Sequence, residues 1–153
     1  QIESFTKQIE IAANLNLPVI IHTRDANDDT IEIISNAKAK YKNLKFLFHC
    51  FSGNEELMEF GLENNIKFSF SGIITFKKSI ALQEIVKKVP LSEIMVETDA
   101  PFLAPEPFRG KTNEPALVYY TAKKIAELKG IEFDEVAKIT RQNTINFFEM
   151  PCK

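Results

Sequence analysis

The chain has 153 residues, 44% of them hydrophobic and 26% charged, with a net charge of −2 and a pI near 5.8. These values are typical of one soluble globular domain and exclude a global basic surface, so any nucleic-acid contact has to be a local patch. No apolar run is long enough to cross a bilayer and no signal peptide is present, which favours a cytoplasmic protein without membrane partners. Cys50 and Cys152 are too few and too far apart for a disulfide framework, which favours a reducing compartment.

Helical and strand patterns alternate along the chain. The first helix, over residues 1–15, is already under way at Gln1, so we expect further residues upstream. The other predicted elements are strands at 19–21, 44–49, 66–74 and 93–99, helices at 27–40, 54–64 and 79–88, a surface loop over 100–115, and helices at 115–129 and 134–147. Since short, continuously apolar strands alternate with helices, we predict an α/β fold with a parallel sheet, forming a single domain over residues 1–153.

Three polar residues stand at the ends of these strands. His22 follows the first strand, His49 closes the second and Asp99 closes the fourth. Because parallel α/β folds build their sites at the carboxyl ends of strands, we expect these side chains to lie together. Two imidazoles and one carboxylate suit Zn, Mn or Fe, with Mg tolerated as carboxylates are added. Taken singly, each histidine could instead be a hydrogen-bonded core residue, and Asp99 could be a helix cap or turn residue.

Arg24 lies two residues beyond His22, where a guanidinium can hold an anionic oxygen through a forked hydrogen bond. The alternative for Arg24 is a surface ion pair with Asp25 or Asp28.

The loop after Asp99 carries a second polar group, formed by Arg109, Lys111 and Asn113. These side chains could bind phosphate, or they could belong to a solvated loop. We therefore keep Arg24, Arg109, Lys111 and Asn113 as candidate substrate-binding residues.

Five motifs occur in a fixed order along the chain. They are IIHTRDA (20–26), FHCFSG (48–53), FSGIITF (70–76), ETDAPFLAP (97–105) and RGKTNEP (109–115). Together they resemble the TatD family of metal-dependent deoxyribonucleases, a family of the amidohydrolase superfamily with a TIM (β/α)8 barrel. The resemblance covers essentially the whole chain and implies that it forms the last four βα units of the barrel plus the C-terminal helices.

The resemblance also implies roles for individual residues. His22, His49 and Asp99 match metal ligands that follow the fifth, sixth and eighth strands of the family's barrel, and Asp99 also matches the residue that acts as general base. The family carries an HxH motif on its first strand and a glutamate after its fourth, and this chain contains neither. Phe108 stands where the family often has His or Tyr. A sheet of four strands would also leave open edges and an apolar face uncovered.

The activity implied is hydrolysis of phosphodiester bonds by metal-activated water, most simply as a 3′–5′ exonuclease acting on DNA ends with one or two Mg, Mn or Zn ions. Asp99 would accept the proton of the water. One alternative is cleavage of an amide or aminoacyl ester by the same ligands. Another is an inactive or structural half-barrel that lacks part of the metal site. The basic residues of the 100–115 loop favour phosphate, and the sequence leaves the oligomeric state open.

Overall fold

Four parallel strands form the sheet that organises the chain, in the order β1-β2-β3-β4. The computed structural model describes residues 1–151, so the prediction made for Cys152 lies outside the described residues. The elements are α1 (Ile2–Asn14), β1 (Val19–Ile21), α2 (Asn27–Lys40), β2 (Phe46–Phe48), α3 (Glu55–Glu63), β3 (Lys67–Phe70), α4 (Ile80–Lys88), β4 (Ile94–Val96), α5 (Val118–Lys129) and α6 (Phe133–Phe148). The predicted parallel α/β sheet is confirmed.

Strands β3 and β4 are shorter than the sequence pattern predicts. The expected strand over 66–74 ends at Phe70, and Gly72–Thr75 form a 3-10 turn instead. The expected strand over 93–99 ends at Val96, and Asp99 takes a positive φ of 58°. After β3 the apolar residues Ile73 and Ile74 continue the pattern through the turn, so hydrophobicity does not mark where the backbone leaves the sheet. After β4 the polar residues Glu97, Thr98 and Asp99 already lie outside the strand.

One face of the sheet packs against helix α3 through a phenylalanine cluster, since the Phe48 and Phe68 rings lie against Gly61 of that helix. Phe48, Phe51, Phe68 and Phe70 are almost completely buried, and their ring centres lie 5.2–6.2 Å apart in tilted or edge-on pairs. Burying each side chain contributes roughly 1.5–3 kcal/mol. This cluster fixes β2 and β3, and with them the polar residues at their carboxyl ends.

The opposite face of the sheet carries Ile20, Leu47 and Met95. We expected an uncovered apolar face, and for two of these residues that expectation is wrong. Leu47 and Met95 are buried in a small cluster with Phe147 of α6. Ile20, on the outer strand β1, stays 53% exposed. Helix α6 therefore covers one side of this face and leaves the β1 side open.

Among the described residues, no helix combines the length and the apolar character needed to cross a membrane.

Candidate metal centre

Backbone hydrogen bonds continue past the strand ends and fix the residues that follow them. The amide of His49 donates to the carbonyl oxygen of Ile21 at 2.8 Å, and the amide of Glu97 donates to that of Phe70 at 3.0 Å. Each bond joins a residue after one strand to the last residue of its neighbour. The backbones that carry His49 and Glu97 are thus set by the sheet rather than by free loops.

The side chains of His49, Glu97 and Asp99 converge at this edge. His49 Nε2 lies 3.2 Å from Glu97 Oε1 and 3.8 Å from Asp99 Oδ1. One potential ligand atom from each of the three residues lies within 4.8 Å of the others. The arrangement brings two carboxylates to one imidazole nitrogen, which is a donor set for a divalent cation.

Glu97 was not among the predicted site residues. In the strand predicted over 93–99 it stands two positions before Asp99, where alternate residues would point to the same side. That spacing at a strand end was the signal that could have found it.

Glu97 has an unusual environment for a carboxylate. Ser69 Oγ donates to its Oε2 at 2.5 Å, whereas its Oε1 is buried without a hydrogen-bond partner. The nearby His49 nitrogen does not satisfy Oε1, because the contact is close but not oriented as a hydrogen bond. Burial raises the pKa of Glu97, and the Asp99 carboxylate raises it further, against the lowering effects of Ser69 and His49.

These features fit a divalent metal ion. A buried carboxylate oxygen without a partner is costly, and two neighbouring carboxylates repel each other. A cation between Glu97, Asp99 and His49 would remove both penalties. The mixture of nitrogen and oxygen donors suits the metals expected from the sequence.

His22 lies beside this group without being part of it. Its side chain is exposed, and its ring centre is 6.2 Å from that of His49, with the ring planes inclined by 52°. The structure therefore brings the two predicted histidines together at one edge of the sheet, with His22 on the outer side.

The predicted basic residues lie on exposed parts of the chain. Arg24 Nε is 3.7 Å from Asp25 Oδ2, and both side chains are more than four-fifths exposed. The guanidinium of Arg109 lies 4.4 Å from the centre of the Phe76 ring. An exposed ion pair is worth little, so Arg24 can turn toward an anionic ligand at small cost.

Lys111 and Asn113 differ in exposure although they share a loop. Lys111 is exposed, with its Nζ 5.7 Å from the ring centre of Phe108. Asn113 is buried and donates its side-chain N–H groups to the carbonyl oxygen of Thr98, which precedes the loop, and to that of Phe102 within it. A contribution of Asn113 to substrate binding would therefore act through the loop that it holds.

Comparison with known proteins identifies the family. The family model described as "TatD related DNase" matches residues 1–149. The chain belongs to this family. It is 43% identical over 150 residues to the Bacillus subtilis protein named "Uncharacterized metal-dependent hydrolase YabD", covering 98% of this chain and 58% of that protein. It is 41% identical over 150 residues to the similarly named YcfH of Escherichia coli K12, covering 98% of this chain and 56% of that protein. The chain thus spans a little over half the length of these TatD relatives.

Solved structures agree with the assignment. The crystal structure of YjjV, a TatD homologue from Escherichia coli K12, superposes with a TM-score of 0.86 at 27% identity, covering 95% of this chain and 55% of that one. A TatD-family hydrolase from Entamoeba histolytica shares the fold, with a TM-score of 0.81 at 20% identity over 93% of this chain and 54% of that one. The prediction of a TatD-type TIM barrel, of which this chain forms a part, is confirmed.

Two further positions of this TatD chain concern the edges of the site. Phe108, where the resemblance led us to expect His or Tyr, packs edge-on against Tyr120 of α5 with ring centres 5.2 Å apart. Cys50, beside His49, has its Sγ 3.0 Å from Ser71 Oγ. Burial is the main cause that raises the pKa of this thiol to about 11, and Glu97 and Asp99 add to the effect. The thiol is therefore neutral at physiological pH and does not resemble an activated nucleophile.

Proposed function

We propose that the protein is a metal-dependent hydrolase that cleaves phosphodiester bonds, with DNA as substrate and 3′ ends as the point of attack. The observation that carries the proposal is the convergence of His49, Glu97 and Asp99 at the strand ends, with His22 beside them. The family description as DNases supports the choice of DNA. The exposed basic side chains in the segments that follow β1 and β4 support a phosphate substrate over a neutral ester.

In this proposal His22, His49 and Asp99 hold one or two divalent ions, with Mg, Mn and Zn as the candidates. Such an ion supplies Lewis-acid chemistry toward water and a phosphoryl oxygen. Asp99 accepts the proton of the attacking water through its carboxylate, which is 30% exposed and therefore open to solvent. The oxygen of that water joins phosphorus, the bond from phosphorus to the departing nucleotide oxygen breaks, and that oxygen takes up a proton from the solvent.

The anionic phosphate needs positive charge around it. Arg24 presents a guanidinium at the start of the segment after β1, and Arg109 presents another from the loop after β4. We propose that both turn toward the non-bridging phosphate oxygens, where a forked guanidinium fits well. Lys111 adds a positive charge for the phosphate, and Asn113 holds the loop conformation through its hydrogen bonds.

The test uses the protein at its natural full length, loaded with Mn or Mg. It is given a single-stranded oligonucleotide with a labelled 5′ end and, separately, an aminoacyl ester. We expect stepwise shortening from the 3′ end that EDTA abolishes and that His49→Ala and Asp99→Asn each reduce at least about a thousandfold. Asp134→Asn, an exposed acid in α6, is the matched control and keeps full activity.

Two results would contradict this proposal. Cleavage of the ester without cleavage of DNA would assign the site to acyl chemistry. Absence of any metal-dependent hydrolysis from well-folded, metal-loaded protein would favour a structural role.

A further inference from the structure

We propose that Glu97 is an additional metal ligand through Oε1, and that Ser69 is the positioning residue that directs it. The inference rests on the proposed metal site but not on the phosphodiester substrate. It adds a carboxylate to the three ligands predicted from the sequence.

The case begins with the oxygen that has no partner. Glu97 Oε1 is buried without a hydrogen bond, yet it lies 3.2 Å from His49 Nε2. Asp99 Oδ1 lies 3.8 Å from the same nitrogen. Three potential donors therefore face one small space, and a buried carboxylate oxygen is stable there only with a proton or a cation as its partner. A cation is the partner that all three donors can share.

The second part of the case is how the other oxygen is held. Ser69 lies in β3, opposite Met95 in the ladder with β4, and is 2% exposed. Its Oγ accepts a hydrogen bond from the amide of Cys50 at 3.2 Å and donates to Glu97 Oε2 at 2.5 Å. A hydroxyl has a single hydrogen, and Glu97 Oε2 at 2.5 Å lies nearer than the Phe48 carbonyl oxygen at 3.5 Å, so that hydrogen is donated to Glu97. This relay fixes Oε2 and leaves Oε1 facing His49.

The relay joins three strands at their carboxyl ends. The amide of Cys50 follows β2, Ser69 belongs to β3 and Glu97 follows β4. Neighbouring groups that orient a metal-binding side chain in this way are a regular feature of protein metal sites. Ser69 thus contributes to the centre without touching the ion.

A competing role for Glu97 is to orient the His49 ring by accepting a hydrogen bond. A glutamine at position 97 could take over the hydrogen bond to His49 but not the role of metal ligand. The amide of Gln can accept a hydrogen bond from an imidazole, but it is a poor substitute for a carboxylate in binding a divalent cation. The Glu97→Gln variant therefore separates them.

The experiment measures metal binding directly on full-length apoprotein, by calorimetry with Mn and by the visible absorption of bound Co. We expect Glu97→Gln to weaken Mn binding at least about a hundredfold or to lose one ion, and to change the Co spectrum. We expect Ser69→Ala to weaken binding roughly 10–100-fold with the same number of ions, as for other residues that orient a ligand. Glu56→Gln on α3 and Ser35→Ala on α2, both exposed, are the matched controls and bind as the unaltered protein does.

Circular dichroism checks that each variant is folded, and Glu97→Asp serves as a second variant, in which a carboxylate is kept but withdrawn from the centre. Unchanged Mn affinity and an unchanged Co spectrum in Glu97→Gln and Glu97→Asp would overturn the inference. Metal binding that depends on Glu97 in a protein that does not cleave DNA would uphold it while ending the nuclease proposal. DNA cleavage by a protein whose Mn affinity does not depend on Glu97 would uphold the nuclease proposal and reject Glu97 as a ligand.

Discussion

The side-chain amide of Asn113 donates a hydrogen bond to the carbonyl oxygen of Thr98 at 2.7 Å. Its other N–H group reaches the carbonyl oxygen of Phe102 at 2.6 Å, and its Oδ1 accepts from the amide of Glu114. One buried side chain therefore ties the far end of a long loop to the residues on both sides of Asp99. The loop that carries the basic residues and the strand end that carries the carboxylates form one unit.

We predict that Asn113→Ala destabilises this unit. The variant removes three hydrogen bonds, each worth about 0.5–1.5 kcal/mol. Urea unfolding should show a lower midpoint, and limited proteolysis should cut within residues 100–115 sooner. Lys111→Ala, an exposed substitution in the same loop, should leave both measurements unchanged. Equal proteolysis of the two variants would show that the amide does not hold the loop.

Gly72 allows the loop to approach the turn after β3. A Cβ at this position would overlap the carbonyl oxygen of Leu103 and lie 2.9 Å from the nitrogen of Pro105. Both are backbone atoms, so they move only if the loop moves. We predict that Gly72→Ala lowers the free energy of unfolding by about 1–3 kcal/mol, measured by urea denaturation.

The control for Gly72 is Gly130→Asn. Gly130 ends α5 in the left-handed region with open space around it, so the asparagine should cost no more than about 1 kcal/mol. If Gly72→Ala lowered the free energy of unfolding no more than Gly130→Asn does, the close approach of the loop to Gly72 would be contradicted.

Cys50 should be unreactive in the folded, metal-free protein. Its pKa is raised to about 11, so at pH 8 only about one thiol in a thousand is ionised. We predict slow alkylation by iodoacetamide at pH 8 and a rate that rises steeply toward pH 10, read by peptide mapping so that Cys50 is followed separately. Protein unfolded in guanidinium is the reference and should react rapidly. Fast labelling of Cys50 in folded protein would mean that the thiol is neither buried nor neutral.

Arg24 and Arg109 should affect substrate binding rather than metal binding. Each lacks a strong partner among the described residues, and a hydrogen bond to a charged group contributes roughly 1.5–3 kcal/mol. Within the proposed nuclease activity, Arg24→Ala and Arg109→Ala should each raise KM for DNA about tenfold or more while leaving Mn affinity unchanged. Arg141→Ala, an exposed arginine in α6, is the control. A fall in Mn affinity in either site variant would place that arginine in support of the metal centre instead.

The sequence pattern predicts the strands, their parallel arrangement and the helices between them, because continuous apolar runs and helical periodicity are local signals. It also predicts that His22, His49 and Asp99 share one edge, since strand ends converge in a parallel sheet. It does not predict the partnership of Ser69 with Glu97, which depends on register between β3 and β4. Nor does it predict that Phe147 covers Leu47 and Met95, because that contact joins residues about 50 to 100 positions apart.

The backbone hydrogen bonds from His49 to Ile21 and from Glu97 to Phe70 indicate that the backbone of the site is ordered before metal binds. Amides engaged in this way open only when the strands themselves separate, so both should rank among the slowest to exchange with deuterium. The backbone that carries His49 and Glu97 is then in place before an ion binds, and binding has only side chains left to order. The metal should therefore raise the melting temperature of the protein without being required for it to fold.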